Sequence, residues 1–191
     1  MNGEVLPDNG LPRPKRYITG HNEEAKAIFN QGLEATLPWQ DIHGPSRTAD
    51  RFSLAYATDQ TPVQLSSDMD LQVYQKFLEN KPGITIRGGT VLRMVDIAPE
   101  NTSPMHRTVS LDYGVVLEGE VEAVLDSGET QLLHRGDIVV QRATNHAWRN
   151  PHPTNWARML YVLQEAAPLE LPNGQTLGED YGGIKGVRAS T

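Results

Sequence analysis

The chain contains no cysteine. Disulfides, iron–sulfur clusters, thiolate zinc sites and a cysteine nucleophile are all excluded, and any metal ion must be held by His, Asp or Glu. A basic balance is also missing: 24 acidic residues stand against 17 Lys and Arg, a net charge of −7. That leaves no electrostatic footprint for nucleic acid. No apolar run approaches the roughly 20 residues of a membrane helix, so no membrane partner is expected. The opening MNGEVLPDNG has no basic-then-apolar leader pattern, and cytoplasmic residence is the default expectation. No phosphate loop, dinucleotide fingerprint or G-x-S-x-G elbow occurs, and no internal repeat is visible.

What remains is a length of 191 residues, enough for one domain with a sizeable core. Residues 1–16 carry Pro7, Pro12 and Pro14 and read as a flexible N-terminal arm. Helix propensity competes with two short strands over 17–31, and the strands are preferred, across a turn at 20–24. The segment 51–65 is β-prone, with Phe52, Leu54 and Tyr56 on one face. Residues 70–79 show helical spacing, with Leu71, Tyr74 and Leu78 on one side, before Pro82 and Gly83 break the chain. From there the chain punctuates as strands at 84–97, 106–113, 114–125, 129–133, 137–142, 146–150 and 157–164. Many short strands at close spacing predict an all-β sandwich or barrel. One domain is expected over 17–167, followed by an extended tail over 168–191 that holds five glycines.

The informative stretch runs from 104 to 151. Side chains in a strand alternate between faces, so His106, Thr108, Ser110 and Asp112 project one way and Arg107, Val109, Leu111 and Tyr113 the other. The first face is wholly polar and the second largely apolar, so the strand lines either solvent or a pocket. The same alternation places His146, Trp148 and Asn150 together. Glu118-Gly119-Glu120 marks a bend.

This pattern resembles the two motifs of the cupin family. The first motif, a His, a second His two residues on, a Glu four later and a Gly seven later, falls on His106, Thr108, Asp112 and Gly119. The second, a Gly, a Pro-x-Gly turn, a His and an Asn four later, falls on Gly136, Gln141-Arg142-Ala143, His146 and Asn150, with one residue fewer before the turn. The resemblance spans 84–164 and implies a double-stranded β-helix (a jelly-roll barrel) with a short peripheral helix and extended termini. The strings RYITGHNEEAKAIF and QRATNHAWRNP are similar to cupins of fungal and bacterial small-molecule pathways. Those members are linked to decarboxylation, dehydration or oxygenation of polyketide-type acids.

Thr108 stands in place of the usual second metal-binding His, and Asp112 in place of the usual Glu. Two readings follow. In one, His106, Asp112 and His146 are the ligands of a divalent metal ion (Fe2+, Zn2+ or Mn2+). In the other no metal is bound, and the same three residues are a hydrogen-bonded acid/base set. Thr108 and Ser110 are candidates to bind substrate oxygens. Trp148 is either a pocket wall or core. Arg93 either anchors a substrate carboxylate or faces outward. Asn150 reads as a turn residue, and His21, His43, His134 and His152 as loop or surface residues outside the site. The implied function is an enzyme acting on a small organic acid or polyketide-type intermediate, a lyase or a metal-dependent oxygenase. The rival outside enzymology is a small-molecule-binding module. The resemblance also implies a homodimer.

Overall fold

The computed structural model describes residues 8–44, 48–183 and 190. Within them the chain runs β1 (Thr19–His21), β2 (Ala27–Phe29), β3 (Gln40–Ile42), β4 (Asp50–Ala57), then α1 (Met69–Glu79) and β5 (Thr90–Ile97). It continues through β6 (Ser110–Glu118), β7 (Glu120–Leu125), β8 (Thr130–His134), β9 (Ile138–Arg142), β10 (His146–Arg149) and β11 (Ala157–Glu165). Two short strands, β12 (Leu169–Glu170) and β13 (Thr176–Leu177), form a terminal hairpin. The all-β jelly-roll class expected from the sequence is the one observed, with α1 as its peripheral helix.

Six strands form one sheet in the order β3-β4-β5-β11-β6-β9, and three form a second, β10-β7-β8. Alternation decides which side chains lie between them. Val91, Val116, Val121 and Met159 are fully buried and belong to one apolar cluster with Tyr74 and Trp148, to which both sheets contribute. The sheets are sewn together in two places. The chain passes from β6 into β7 at Gly119, whose positive φ of 73° and proximity to Ala157 suit glycine: a Cβ there would lie 3.2 Å from Ala157 Cα. On the other rim, residues 101–106 pair loosely with β10 through bridges Thr102–Arg149 and His106–His146.

The structure moves several expected boundaries. Ordered strand begins at 90 rather than 84, because 84–89 turns, burying Ile84 and Ile86 without a ladder. The expected break between 113 and 114 is absent; β6 runs through it. Gly114 is there for room: a Cβ would come within 2.8 Å of Val139 Cγ1 and 3.0 Å of Tyr161 Cε1. The first hairpin exists as strands, with its turn at 22–26 organised by Asn22 Oδ1, which accepts from the backbone N–H of Glu24 and Lys26.

Both termini are less free than their composition implies; residues 1–7, 184–189 and 191 of these segments lie outside the described residues. In the arm, Asn9 Nδ2 donates to Asp96 Oδ2 at 2.7 Å, and the carbonyl of Pro12 accepts from Arg158 at 2.5 Å. Arg158 also grips Asp96 in a two-point ion pair of 2.5 and 2.7 Å and stacks its guanidinium 5.0 Å from the Trp39 ring. In the tail, Asp180 exchanges backbone hydrogen bonds with Arg107 at 2.6 and 2.9 Å, so this segment is docked beside His106. No helix among the described residues is long and apolar enough to cross a membrane.

The Arg158–Asp96 pair is almost wholly buried, at 6% and 2% side-chain exposure. Removing one partner strands the other charge. Asp96→Ala is therefore expected to cost about 3–5 kcal/mol and to release the arm, read as a lower denaturation midpoint and faster cleavage within 8–16.

Candidate active site

The inward row of β6 and its leading segment behaves as alternation demands. His106, Thr108, Ser110 and Asp112 are all buried, while Tyr113 is exposed on the other face. His146 and Trp148 reach the same interior from β10, and Arg93 and Tyr161 face each other in register on β5 and β11. These side chains, except Ser110, line a cavity of about 90 Å³ together with Phe52 and Leu163. The six expected residues that meet there are His106, Asp112, His146, Thr108, Trp148 and Arg93. Arg93 is thereby an interior residue and not an outward-facing one. Ser110 is a correction: its hydroxyl is paired with that of Thr108 at 2.6 Å and does not line the cavity.

The two imidazoles lie side by side, ring centroids 4.3 Å apart. Each Nδ1 faces a backbone carbonyl, His106 that of Pro104 at 2.8 Å and His146 that of Thr144 at 3.0 Å. A carbonyl only accepts, so each Nδ1 carries the proton and each Nε2 keeps its lone pair. Burial pushes the His106 pKa down. It pushes His146 down to about 3, aided by the neighbouring His106 and opposed by the Thr144 carbonyl. Both rings are neutral acceptors at ordinary pH. Trp148 stands edge-on to His146 at 5.2 Å and packs against Tyr161 at 5.6 Å, walling the cavity.

Asp112 has the opposite fate. Burial raises its pKa from 3.8 to about 6, while the Ser110 hydroxyl and the Arg93 charge pull it down. Its Oδ1 is buried without a hydrogen-bond partner among the described residues. Arg93 is lowered to about 10 by burial, with Asp112 opposing.

The donor set meets the needs of a divalent metal only in part. The imidazoles suit one, since a back-side Nδ1–H bond to a carbonyl is how ligating histidines are commonly oriented. The third ligand is missing: among the described residues no three His, Asp or Glu side chains are grouped to hold an ion. Asp is one methylene shorter than the usual Glu, and here it stops near Ser110, Arg93 and Tyr161. The set as it stands does not complete a metal site, and no chemical step is derived through one. The expected hydrogen-bonded triad is absent too, since Asp112 shares the cavity without bonding to either ring.

His43, read from the sequence as a loop residue outside the site, is a correction because it lines the cavity, and sequence reasoning missed Asp50 and Asn101, which line it too. Asp50 accepts from the backbone of Ala98 and from Asn101 Nδ2, and burial raises its pKa. Nothing in local spacing announces these residues; His43 follows β3, Asp50 opens β4 and Asn101 comes from the turn after β5. Asn150 is a turn residue as read, its amide donating to Ile97 O and Asn155 O. His21 and His134 are exposed, and His152 organises the 152–155 turn.

A profile of the cupin domain matches residues 93–163, from within β5 into β11, the span that holds both histidines. Phomopsin biosynthesis cluster protein C' of Diaporthe leptostromiformis is 50% identical over 168 residues, 88% of this chain and 86% of that protein. The chain belongs to the cupin family. A second relative, the cupin-domain-containing oxidoreductase virC of Hypocrea virens, is 44% identical over 86% of this cupin and 82% of its own length. Among solved structures, the polyketide cyclase RemF of Streptomyces resistomycificus overlaps 60% of this chain and 63% of its own, with a TM-score of 0.40 at 20% identity.

The raised Asp112 pKa has a stability consequence. The folded state holds the Asp112 proton more tightly than the unfolded chain, so ionising it costs nothing below about pH 4 and its full penalty above about pH 6. Two units correspond to about 3 kcal/mol. Asp112→Asn is expected to gain up to that much over the parent at pH 8 and nothing at pH 4, measured by denaturant unfolding at both.

Proposed function

We propose that this cupin is an enzyme of secondary metabolism that moves a proton on a small organic acid or polyketide-type intermediate, in a decarboxylation, dehydration or isomerisation. The observation that carries the reading is a buried carboxyl poised near pH 6 in the same cavity as a buried guanidinium and two neutral imidazoles. A general acid or base works best when its pKa lies near the working pH. Asp112 meets that condition, whereas His146, held at about 3, is too weak a base to compete. In this reading Arg93 holds the acid group, Asp112 moves the proton, and each Nε2 atom is free to accept a hydrogen bond from a separate substrate O–H group. Thr108 and Trp148 shape the wall. Relatives from biosynthetic clusters support the metabolic setting.

A second reading keeps the divalent ion. It is favoured by the paired Nε2 lone pairs and by the name oxidoreductase carried by several relatives, and it needs a third ligand from outside the grouped side chains. The chain is also proposed to act in the cytoplasm as a homodimer. Tyr113, Ile138 and Val140 leave an apolar outer face on β6 and β9 for a second copy.

Turnover of a panel of β-keto and hydroxy acids decides between these readings. Asp112→Asn is expected to lower kcat/KM by about a hundredfold or more and to abolish a rising pH limb centred near 6. Unchanged turnover in that variant rejects Asp112 as the base. If stoichiometric Fe2+, Zn2+ or Mn2+ binding is lost in His106→Ala and activity follows the metal, the second reading replaces the first. Ligand binding with no turnover across the panel leaves the binding module.

A further inference from the structure

Tyr161 lines the barrel cavity and has no part in the chemistry above. Strand register explains its place. On the inward faces of β5, β11 and β6, Arg93, Tyr161 and Gly114 form one row, and Asp112 lies in the next, opposite Leu163. Asp112 and Tyr161 are therefore diagonal neighbours, about 7–8 Å apart along the sheet and within reach of long side chains. Gly114 makes room for the phenol ring, since a Cβ there would meet Tyr161 Cε1 at 3.0 Å. Trp148 packs against the same ring, with centroids 5.6 Å apart.

The hydroxyl of this ring is held by a poor partner. It donates to Met159 Sδ at 2.9 Å, and a thioether is a weak acceptor. Both residues are buried, and a buried hydroxyl exchanges such a partner favourably for an oxygen. Two carboxyls that line the same cavity, Asp112 and Asp50, both act on the phenol. Burial, reinforced by those two charges, holds its pKa well above the usual tyrosine value. Tyr161 thus keeps its proton at working pH, and its part is to donate a hydrogen bond rather than to transfer a proton.

We propose that Tyr161 is a further catalytic residue, which leaves Met159 to donate its O–H to an enolate oxygen, and that the substrate is a keto acid. This rests on the Asp112 proton chemistry proposed above and adds the substrate's class. Asp112 takes a proton from the carbon beside the ketone. The C–H pair becomes a C=C bond, and the carbonyl π pair moves onto the oxygen that Tyr161 faces. The enolate then takes the proton back from Asp112 at carbon, or expels a β-hydroxide that leaves with that proton as water. While the oxygen is charged, Asp112 is protonated and neutral, so the cavity's fixed charge beside it is the guanidinium of Arg93. A donor already in place where charge develops stabilises the transition state more than the ground state. Gly114 is a positioning residue, keeping the ring over the gap in β6.

Calorimetric titration of the full chain with 4-nitrophenolate, an oxyanion on a flat ring, tests this at pH 8. The Asp112→Asn chain is used, because Asn stands for the neutral carboxyl present when the oxyanion forms. Adding Tyr161→Phe, which keeps the ring and removes only the hydroxyl, is expected to weaken phenolate binding about ten- to a hundredfold. Nitrobenzene, which lacks the oxyanion, is expected to bind both chains equally, and this is the check that the variant is folded. Met159→Leu in the same background frees the hydroxyl and is expected not to weaken phenolate binding. No phenolate binding, equal binding with and without the Tyr161 hydroxyl, an equal loss for nitrobenzene, or a loss in Met159→Leu as large as in Tyr161→Phe overturns the proposal. In turnover of the acid panel, Tyr161→Phe alone is expected to lower kcat about 10²- to 10³-fold, with KM little changed and the pH limb near 6 kept. The outcomes separate from those above: Asp112-dependent turnover with phenolate binding indifferent to Tyr161 removes the oxyanion donor alone. Phenolate binding that needs Tyr161, with turnover independent of Asp112, removes the proton assignment alone.

Discussion

Two reciprocal backbone hydrogen bonds, His106 N–H to His146 O at 2.8 Å and His146 N–H to His106 O at 2.9 Å, are the constraint on which the site depends. They join the segment before β6 to the start of β10, and so join the two sheets at one rim. With the backbones held in that bridge, both side chains leave on the inner face and their rings meet side by side, tilted by 47°. The carbonyls of Pro104 and Thr144, each two residues before its histidine, then fix both tautomers. The docking of Asp180 against Arg107 braces the same segment from outside.

Burial then sorts the titratable groups by the sign of their charge. A low-dielectric interior disfavours whichever form is charged, so the imidazoles are driven to lose protons and the carboxyl to keep its own. The cavity sets the bases apart: one carboxyl raised to about 6 and two rings lowered from the usual histidine value, His146 to about 3. Arg93 remains charged throughout and gives the cavity a fixed positive pole. A single environment thus yields distinct roles for groups that the fold gathers into one cavity, a pattern shared by many acid–base sites.

Much of this was legible in sequence because its cause is local. The run from His106 to Asp112 shows its inward polar row by alternation alone, and its four members are buried; α1 shows Leu71, Tyr74 and Leu78 by helical spacing, the first two buried and Leu78 partly so. What was illegible depends on distant partners. Residues 8–16 look loose because their anchor, the Arg158–Asp96 pair, lies in β11 and β5. Gly114 resembles a break until Val139 and Tyr161 are seen to crowd it. His43 and Asn101 reach the cavity from loops and Asp50 from the first position of β4, none of which carries a periodic signal. The expected convergence of Asp112 with the histidines required a side-chain reach that spacing does not encode.

The most direct test of the account is nitrogen-15 NMR of the two imidazoles in the intact chain. Both are expected as neutral rings protonated at Nδ1 at pH 8, with His146 not titrating between about pH 5 and 8 and His106 titrating below the usual histidine value, since burial lowers both. Protonation near pH 6.5, or a proton on Nε2 of either ring, would contradict the geometry and electrostatics from which the function is argued.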